Sequence, residues 1–511
     1  MKNRFRLILT LILIALLGGT LIMKSGESTK TLRVAFPSAL KVTSYEPTRI
    51  SLDYEYAFLE GVFSTLVEMD TKGIIQPGIA EKAEWIGNEL HFKIRDGLKT
   101  ENGTPITADD VLFSLKRLLV LSGNTHGNFK DLVCPSANLK SVEDECPEMT
   151  TDGNSVILKI KEHKSFLLPM LAAIDFAIIP RSSVDPKTLN IINFKETSGP
   201  YYVSSDDEHG HIELRLNPHH YHASSNIPQI VKLVPTDPNV PNSSLKALAE
   251  GRVDHLTTVD AAKAEALLEF SKEHTEFTPH MTMNIRTLAL FFTERGIKEL
   301  SPEERLYIGQ KARLAFHSIY KDSIGYEVRS TFFPSLGDGG LSEPQDLALA
   351  HFNEKTGTRP THKVKIGLIR RNSPETWAIP LKEMLPAAEV YTETNVPEFK
   401  TWTPDNPMPH AFIAGTDIGF LEDINLITYS LNAGLLGLSK AERKIWLVDY
   451  MNTENKKDRM EKLSALHLRV LMEPTLVPLM SSPFAALIRK PWRMEFSELY
   501  ANNQLWLIKI K

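Results

Sequence analysis

Three short patterns in this 511-residue chain stand in the order that acyl-transfer chemistry uses. Ser38-Ala39-Leu40-Lys41 sets a hydroxyl three residues ahead of an amine, Ser122-Gly123-Asn124 follows, and Lys355-Thr356-Gly357 comes last. The contexts do not suit that chemistry. The serine should open a buried helix, yet Ser38 follows a strand pattern and Pro37, with Pro47 close behind. The last motif should lie on an edge strand, yet it runs into Thr358-Arg359-Pro360, a loop. A serine acyl enzyme using Ser38 remains a minor alternative.

His219, His220 and His222 in NPHHYH are the other grouping with chemical potential, because imidazole is a common metal ligand. No carboxylate or thiol is adjacent to complete a site, and the preceding Asn217-Pro218 favours a surface turn. HExxH, a P-loop and a GxGxxG after a strand are absent from the sequence, so the reading includes no metal and no cofactor. Cys134 and Cys146 are the two cysteines, in the polar stretch DLVCPSANLKSVEDECP. Their spacing does not fit a CxxC redox or zinc motif. A short-range pair in an exported chain is read as a structural disulfide, with two free thiols as the alternative.

The elements that position these residues are legible by periodicity. Leu90, Phe92 and Ile94 alternate with His91, Lys93 and Arg95, a strand with one buried face, closed by Asp96-Gly97. Thr107 and Asp110 form a capping-box-like start, and Val111, Leu112, Leu115, Leu118 and Leu119 continue at helical spacing. Thr31–Phe36, Ser155–Ile160, Leu288–Thr293, Val364–Leu368 and Met408–Gly415 read as strands, and Pro474–Leu479 as a terminal one. Ser301 with Glu304 caps a helix carrying Ile308, Ala312, Ala315 and Ile319, and Lys440–Leu471 reads as one or two helices.

The chain is too long for one ordinary core. A hydrophobic content of 42%, a charged content of 24% and a net charge of −5 describe a globular protein with no call for a nucleic-acid partner. Lys2, Arg4 and Arg6 precede the apolar run Leu7–Met23, which directs the chain out of the cytoplasm. The run lacks a good cleavage site and is long enough to stay as an anchor, so residues 1–26 are a signal peptide or an N-terminal membrane anchor.

As a string, Gln76–Leu119 resembles the signature region of the family 5 extracellular solute-binding proteins, the oligopeptide, dipeptide and nickel receptors of ABC importers. The matching residues are Phe92, Ile94, Arg95, Gly97, Lys99, Gly103, Pro105, Thr107, Ala108, Asp110, Val111, Phe113, Ser114 and Arg117, with Thr100 where the family has an aromatic. Thr197–Val203 resembles the family's "G-T-G-P-Y", Leu214–Tyr221 its "l-x-x-N-x-x-Y", and Pro474–Leu479 its terminal "x-x-P-x-i-P-l". The resemblance implies an α/β, two-lobed periplasmic-binding-protein-like fold (class II, cluster C type) with mixed sheets, a hinge and an extra subdomain. It divides the chain into lobe I (27–50, 198–280 and 475–511), an inserted subdomain (51–197) and lobe II (281–474). It further implies a non-enzymatic, monomeric receptor that captures peptides or a similar small solute in the periplasm or cell envelope and delivers it to an inner-membrane ABC permease. The implied ligand-binding residues are Tyr45, Gly199, Tyr201 and Asp417. Asp417 stands where peptide-binding members pair a carboxylate with the ligand's amine, although Ile418 replaces the usual Tyr and the usual Trp is missing. Those departures keep open a receptor fold with a chaperone or signalling role.

Overall fold

In the computed structural model, residues 30–510 are described except 39, 51–52, 123–128, 161–163, 165, 238–239, 241, 334–338, 370–373, 394–402, 405–406, 418–437, 454 and 502–503. The expected signal peptide or anchor lies outside the described residues. Among those described, no helix is long and apolar enough to cross a membrane.

The strands that organise the molecule are β1 (Thr31–Phe36), β2 (Ala80–Ile86), β3 (Glu89–Ile94), β4 (Met149–Asp152), β5 (Ser155–Lys159), β6 (Tyr201–Asp206), β7 (Ile212–Leu216) and β8 (Ile230–Pro235). They continue with β9 (His255–Thr258), β10 (Phe277–Phe292), β11 (Glu327–Val328), β12 (Val364–Ile369), β13 (Ala388–Glu393), β14 (Ala411–Asp417) and β15 (Leu476–Arg489). Eleven of them form one mixed sheet in the order β13-β12-β14-β10-β15-β9-β1-β8-β7-β6, with β11 added beside β15. The long antiparallel pair β10–β15 belongs to both lobes. Its first part (Phe277–Thr282 against Phe484–Arg489) joins the β9–β1–β8 side, and its second part (Arg286–Phe291 against Leu476–Ser482) joins the β14–β12–β13 side. The register shifts between Thr282 and Arg286, where the strand passes from one lobe to the other.

Each side has its own core. In lobe I, Leu32, Phe36, Tyr45, Phe58, Tyr201 and Leu233 pack under helix α1 (Asp53–Val62). In lobe II, Leu290, Ile366, Trp377 and Leu479 pack against Ile308 and Phe316 of the helix Pro302–Tyr320. The four-stranded antiparallel sheet β2-β3-β5-β4 carries Leu90, Phe92, Val156 and Leu158 into a third core, which helix α2 (Ala108–Leu121) covers. Local rules explain the helix starts. Thr107–Asp110 and Ser301–Glu304 are both reciprocal capping boxes. The third core is continuous with helix α3 (Lys456–Met472) of lobe II, where the Arg459 guanidinium lies 5.7 Å from the Phe166 ring centroid. Cys134 and Cys146 are joined as a disulfide in the same core, with Cα atoms 5.7 Å apart.

Candidate functional site

The register places the carboxyl ends of parallel strands from both lobes at the crossing of β10 and β15. β1 runs parallel to β9, whose last residue Thr258 pairs with Ala485, so the chain leaving β1 at Phe36 emerges toward the crossing. On the other side, β14 ends at Asp417 opposite Arg286, with β12 and β13 running parallel to it. Open α/β sheets bind ligands outside the carboxyl ends of their strands, and a cleft between lobes is where such a ligand is enclosed.

The crossing is built from small polar side chains that are satisfied internally. Ser482 Oγ donates to Val259 O (2.7 Å), Thr282 Oγ1 to Ser497 O (2.7 Å) and Thr287 Oγ1 to Phe332 O (3.2 Å). His280 stacks on Phe496 at 3.8 Å and sits 2.8 Å from Thr282 Oγ1. In the lobe I loop after β1, the Tyr45 hydroxyl donates to Ser38 Oγ at 2.8 Å, between the rings of Phe36 and Phe58. Burial pushes the Tyr45 phenol up to about 12, so it stays a neutral donor.

In lobe II, the loop after β11 is held on two sides. The Phe332 N–H donates to His467 Nε2 (3.0 Å), the other ring nitrogen of His467 lies 2.9 Å from Gly339 O, and Thr287 takes the Phe332 carbonyl. Burial lowers His467 to about 4, so it acts as a neutral strut with both nitrogens used. Arg329 begins this loop. It is 8% exposed, and its Nε and Nη2 have no hydrogen-bond partner among the described residues.

Tyr45 stands beside the crossing but is enclosed in the lobe I core at 2% exposure. Tyr201 is wholly buried in that core, and its hydroxyl has no hydrogen-bond partner among the described residues. Gly199 packs on the end of α1: its N–H donates to Val62 O at 2.9 Å, and a Cβ there would lie 2.4 Å from the Val62 carbonyl carbon. Only glycine permits that approach. In this conformation these residues offer no side-chain surface to a solute. Asp417 is positioned by backbone register alone, because its side chain lies outside the described set.

The histidine grouping resolves into separate partners. His220, expected on a surface turn, is buried against Ser64 Oγ (3.0 Å), while His222 pairs with Glu68 (2.8 Å) and stacks on Trp506. Burial holds His220 well below its ordinary value. His219 is exposed. Among the described residues the grouping with metal-ligand spacing is Cys134, Cys146 and Glu148, and its two sulfurs are bonded to each other. The acyl-transfer motifs are likewise separated. Ser38 accepts from Tyr45 and from the Leu40 N–H in lobe I, whereas Lys355 lies over Phe352 in lobe II and Gly357 packs on Tyr307. Asn124 lies outside the described residues. Two surface hollows, of 420 and 250 Å³, open elsewhere on the molecule; the larger is lined by Glu213 and Arg215 on β7 and Tyr202 on β6, four and five strands from β15.

A two-lobed mixed sheet whose strand ends converge on two shared long strands is the fold of the periplasmic-type solute-binding proteins. The chain matches the model of the bacterial extracellular solute-binding proteins, family 5 (middle region), over residues 75–298. The periplasmic oligopeptide-binding protein OppA of Salmonella typhimurium is 23% identical over 238 residues, 42% of this chain and 41% of that protein. The match therefore spans about two fifths of that relative's length. Among solved structures, Haemophilus influenzae OppA in complex with RPPGFSPFR superposes with a TM-score of 0.73 at 13% identity, over 94% of this chain and 99% of that one. The Escherichia coli murein tripeptide-binding protein MppA superposes at 0.71 and 15% identity, over 94% and 98%. At such identities the likeness is one of fold.

Proposed function

We propose that this protein is the substrate-binding subunit of an ABC importer, which captures a peptide or a similar small solute in the periplasm for an inner-membrane permease. The observation that carries the reading is the convergence of β1 and β14 on one crossing of two long strands, a hinge about which two cores close on a solute. The named peptide-binding relatives give the solute its class. Closure needs no catalysis: the ligand stabilises the closed population by its differential affinity. In this reading Asp417, at the lobe II end of the cleft, pairs with the ligand's amine, and Tyr45 closes the lobe I end. Gly199 and Tyr201 support the wall behind it.

The test is native mass spectrometry of the body purified without refolding, followed by calorimetry with peptide mixtures. A bound mass released on gentle denaturation supports capture, and its fragmentation identifies the solute. Asp417→Ala should then weaken a bound peptide by about 2–4 kcal/mol, the cost of leaving a charge unpaired in a desolvated site. A protein that carries nothing and binds no peptide returns the non-transport role to first place.

A further inference from the structure

We propose that Glu60 is a proton-binding site: its neutral carboxyl donates a hydrogen bond to Gln504, and the proton it holds locks the C-terminal segment onto helix α1. The inference stands apart from the receptor reading and does not depend on a ligand.

Glu60 lies in the last turn of α1 and faces Gln504, whose Nε2 donates to Glu60 Oε1 at 3.4 Å. The two segments meet closely. A Cβ on Gly61 would lie 3.2 Å from Leu505 Cδ1, and Leu505 is buried in the lobe I core. Gln504 Oε1 is also buried, and it has no hydrogen-bond partner among the described residues. An ionised Glu60 offers acceptors alone, so it takes the amide N–H and leaves the amide oxygen idle beside its own charge. A neutral carboxyl has one donor and one acceptor to set against the amide. The pair then exchanges two hydrogen bonds, N–H to the carboxyl and O–H to Gln504 Oε1, and the buried oxygen is satisfied.

The electrostatics favour the same form. The titratable groups facing Glu60 from neighbouring elements are Glu68 on the short strand Val67–Met69 and Tyr500 on the C-terminal segment, with Tyr56 one turn earlier on α1. No ion pair joins Glu60 to a cation among the described residues. Glu68 has its own partners, accepting from the Tyr221 hydroxyl and lying 2.8 Å from His222 Nε2. Loss of hydration, with the Glu68 carboxyl adding to it against the Gln504 N–H, pushes the Glu60 carboxyl up to about 8.

The lock closes a segment that reaches across the molecule. Ser497 O takes the Thr282 hydroxyl of β10, and Phe496 stacks on His280 of the same strand. The Tyr500 hydroxyl donates to Asp70 O at 2.6 Å. One stretch of chain therefore ties β10, the turn at Asp70 and the end of α1, and the Glu60 proton secures its far end.

The experiment follows chemical denaturation of the intact protein and of Glu60→Gln from pH 5 to 9. The glutamine supplies a donor that cannot be titrated away. The folded carboxyl keeps a proton that the unfolded one releases near 4.5, so the stability it contributes is complete below that value and is lost as the pH rises to about 8. The expected result is an unfolding constant of the parent that rises, relative to the variant, by about tenfold per pH unit from pH 5 to 8 and levels off above. Infrared difference spectra between pH 7 and 9.5 give a second readout: the parent loses a protonated-carboxyl band that Glu60→Gln never shows. Hydrogen exchange at Leu505–Ile508, normalised to the variant, should quicken several-fold above pH 8. Parallel stability curves for the two proteins overturn the proposal, as does a band that persists in Glu60→Gln. Unchanged exchange overturns the lock. Should Glu60→Gln not fold, the parent decides by itself: a band at pH 7 that is gone at 9.5 supports the site, and no band at pH 7 overturns it.

Discussion

Arg117 on α2 and Arg329 just after β11 are both buried, and their surroundings are opposite. Arg117 is 1% exposed and closes a bidentate pair with Glu46 across 71 residues of chain, with a carbonyl on its remaining edge. Arg329 is placed by a loop whose every anchor (Thr287, His467, the β15 ladder) fixes backbone rather than the guanidinium. The first arrangement spends its charge on the fold. The second holds a charge ready, which is what a binding site requires and a core avoids.

The sharpest way to break that contrast is to remove one partner on each side. Glu46→Ala leaves the Arg117 cation buried and uncompensated and should cost about 3–5 kcal/mol in chemical denaturation. Arg329→Met removes a buried charge whose Nε and Nη2 have no hydrogen-bond partner among the described residues, and should leave stability unchanged or raise it by about 1 kcal/mol. A similar loss in both variants would mean that Arg329 is structural after all. The covalent tie in the core that α2 covers comes next. Replacing Cys134 and Cys146 by serine opens a loop of separation 12 and should cost about 3 kcal/mol, read as a lower denaturant midpoint.

Acid should act on the hinge side. His467 and His255 are buried neutral, each lowered to about 4, whereas an unfolded histidine titrates near 6.5. The unfolded chain therefore binds these protons first, so the stability they contribute is present above about 6.5 and is lost as the pH falls toward 4. The loss amounts to at most about 3 kcal/mol for each. Because His467 holds the loop that bears Arg329, solute affinity should decline over the same window. His467→Gln, which keeps one acceptor for Phe332 and one donor for Gly339, should flatten its share of the slope. An unchanged melting profile between pH 4 and 6.5 in the parent would show that these rings are not held neutral.

How far the sequence disclosed this arrangement depended on how local the cause was. The capping boxes at Thr107 and Ser301 were readable because donor and acceptor lie three residues apart. β10 was read only over its last third, although Met281, Met283 and Ile285 alternate with Thr282, Asn284 and Arg286 ahead of it. β15 was read as far as Leu479, because Pro483 argues against a central strand, although the strand continues to Arg489. The family pattern pointed toward Asp417, whose backbone does lie at the crossing. Nothing in Glu327-Val328-Arg329-Ser330 distinguishes a buried arginine from an exposed one, because its burial comes from elements distant in sequence. His220 was misjudged for the same reason: its partner Ser64 is 156 residues away.

The smallest expected effect tests where the cleft wall begins. Tyr201 and Tyr45 share the lobe I core, but the Tyr45 hydroxyl bonds Ser38 while the Tyr201 hydroxyl has no partner among the described residues. Removing a bonded buried hydroxyl costs about 1 kcal/mol, whereas removing an unbonded one relieves a desolvated group, so Tyr201→Phe should be neutral or slightly stabilising where Tyr45→Phe is destabilising. Solute affinity separates the two further. Tyr45 adjoins the end of β1 at the crossing, and its loss should weaken binding several-fold. Tyr201 lies at the start of β6, at the far edge of the sheet, and Tyr201→Phe should leave affinity unchanged. A Tyr201→Phe variant that melts like the parent yet binds peptide more weakly would mean that hinge closure carries the β6 edge into the cleft. The idle hydroxyl would then belong with Arg329 among the groups that wait for a ligand.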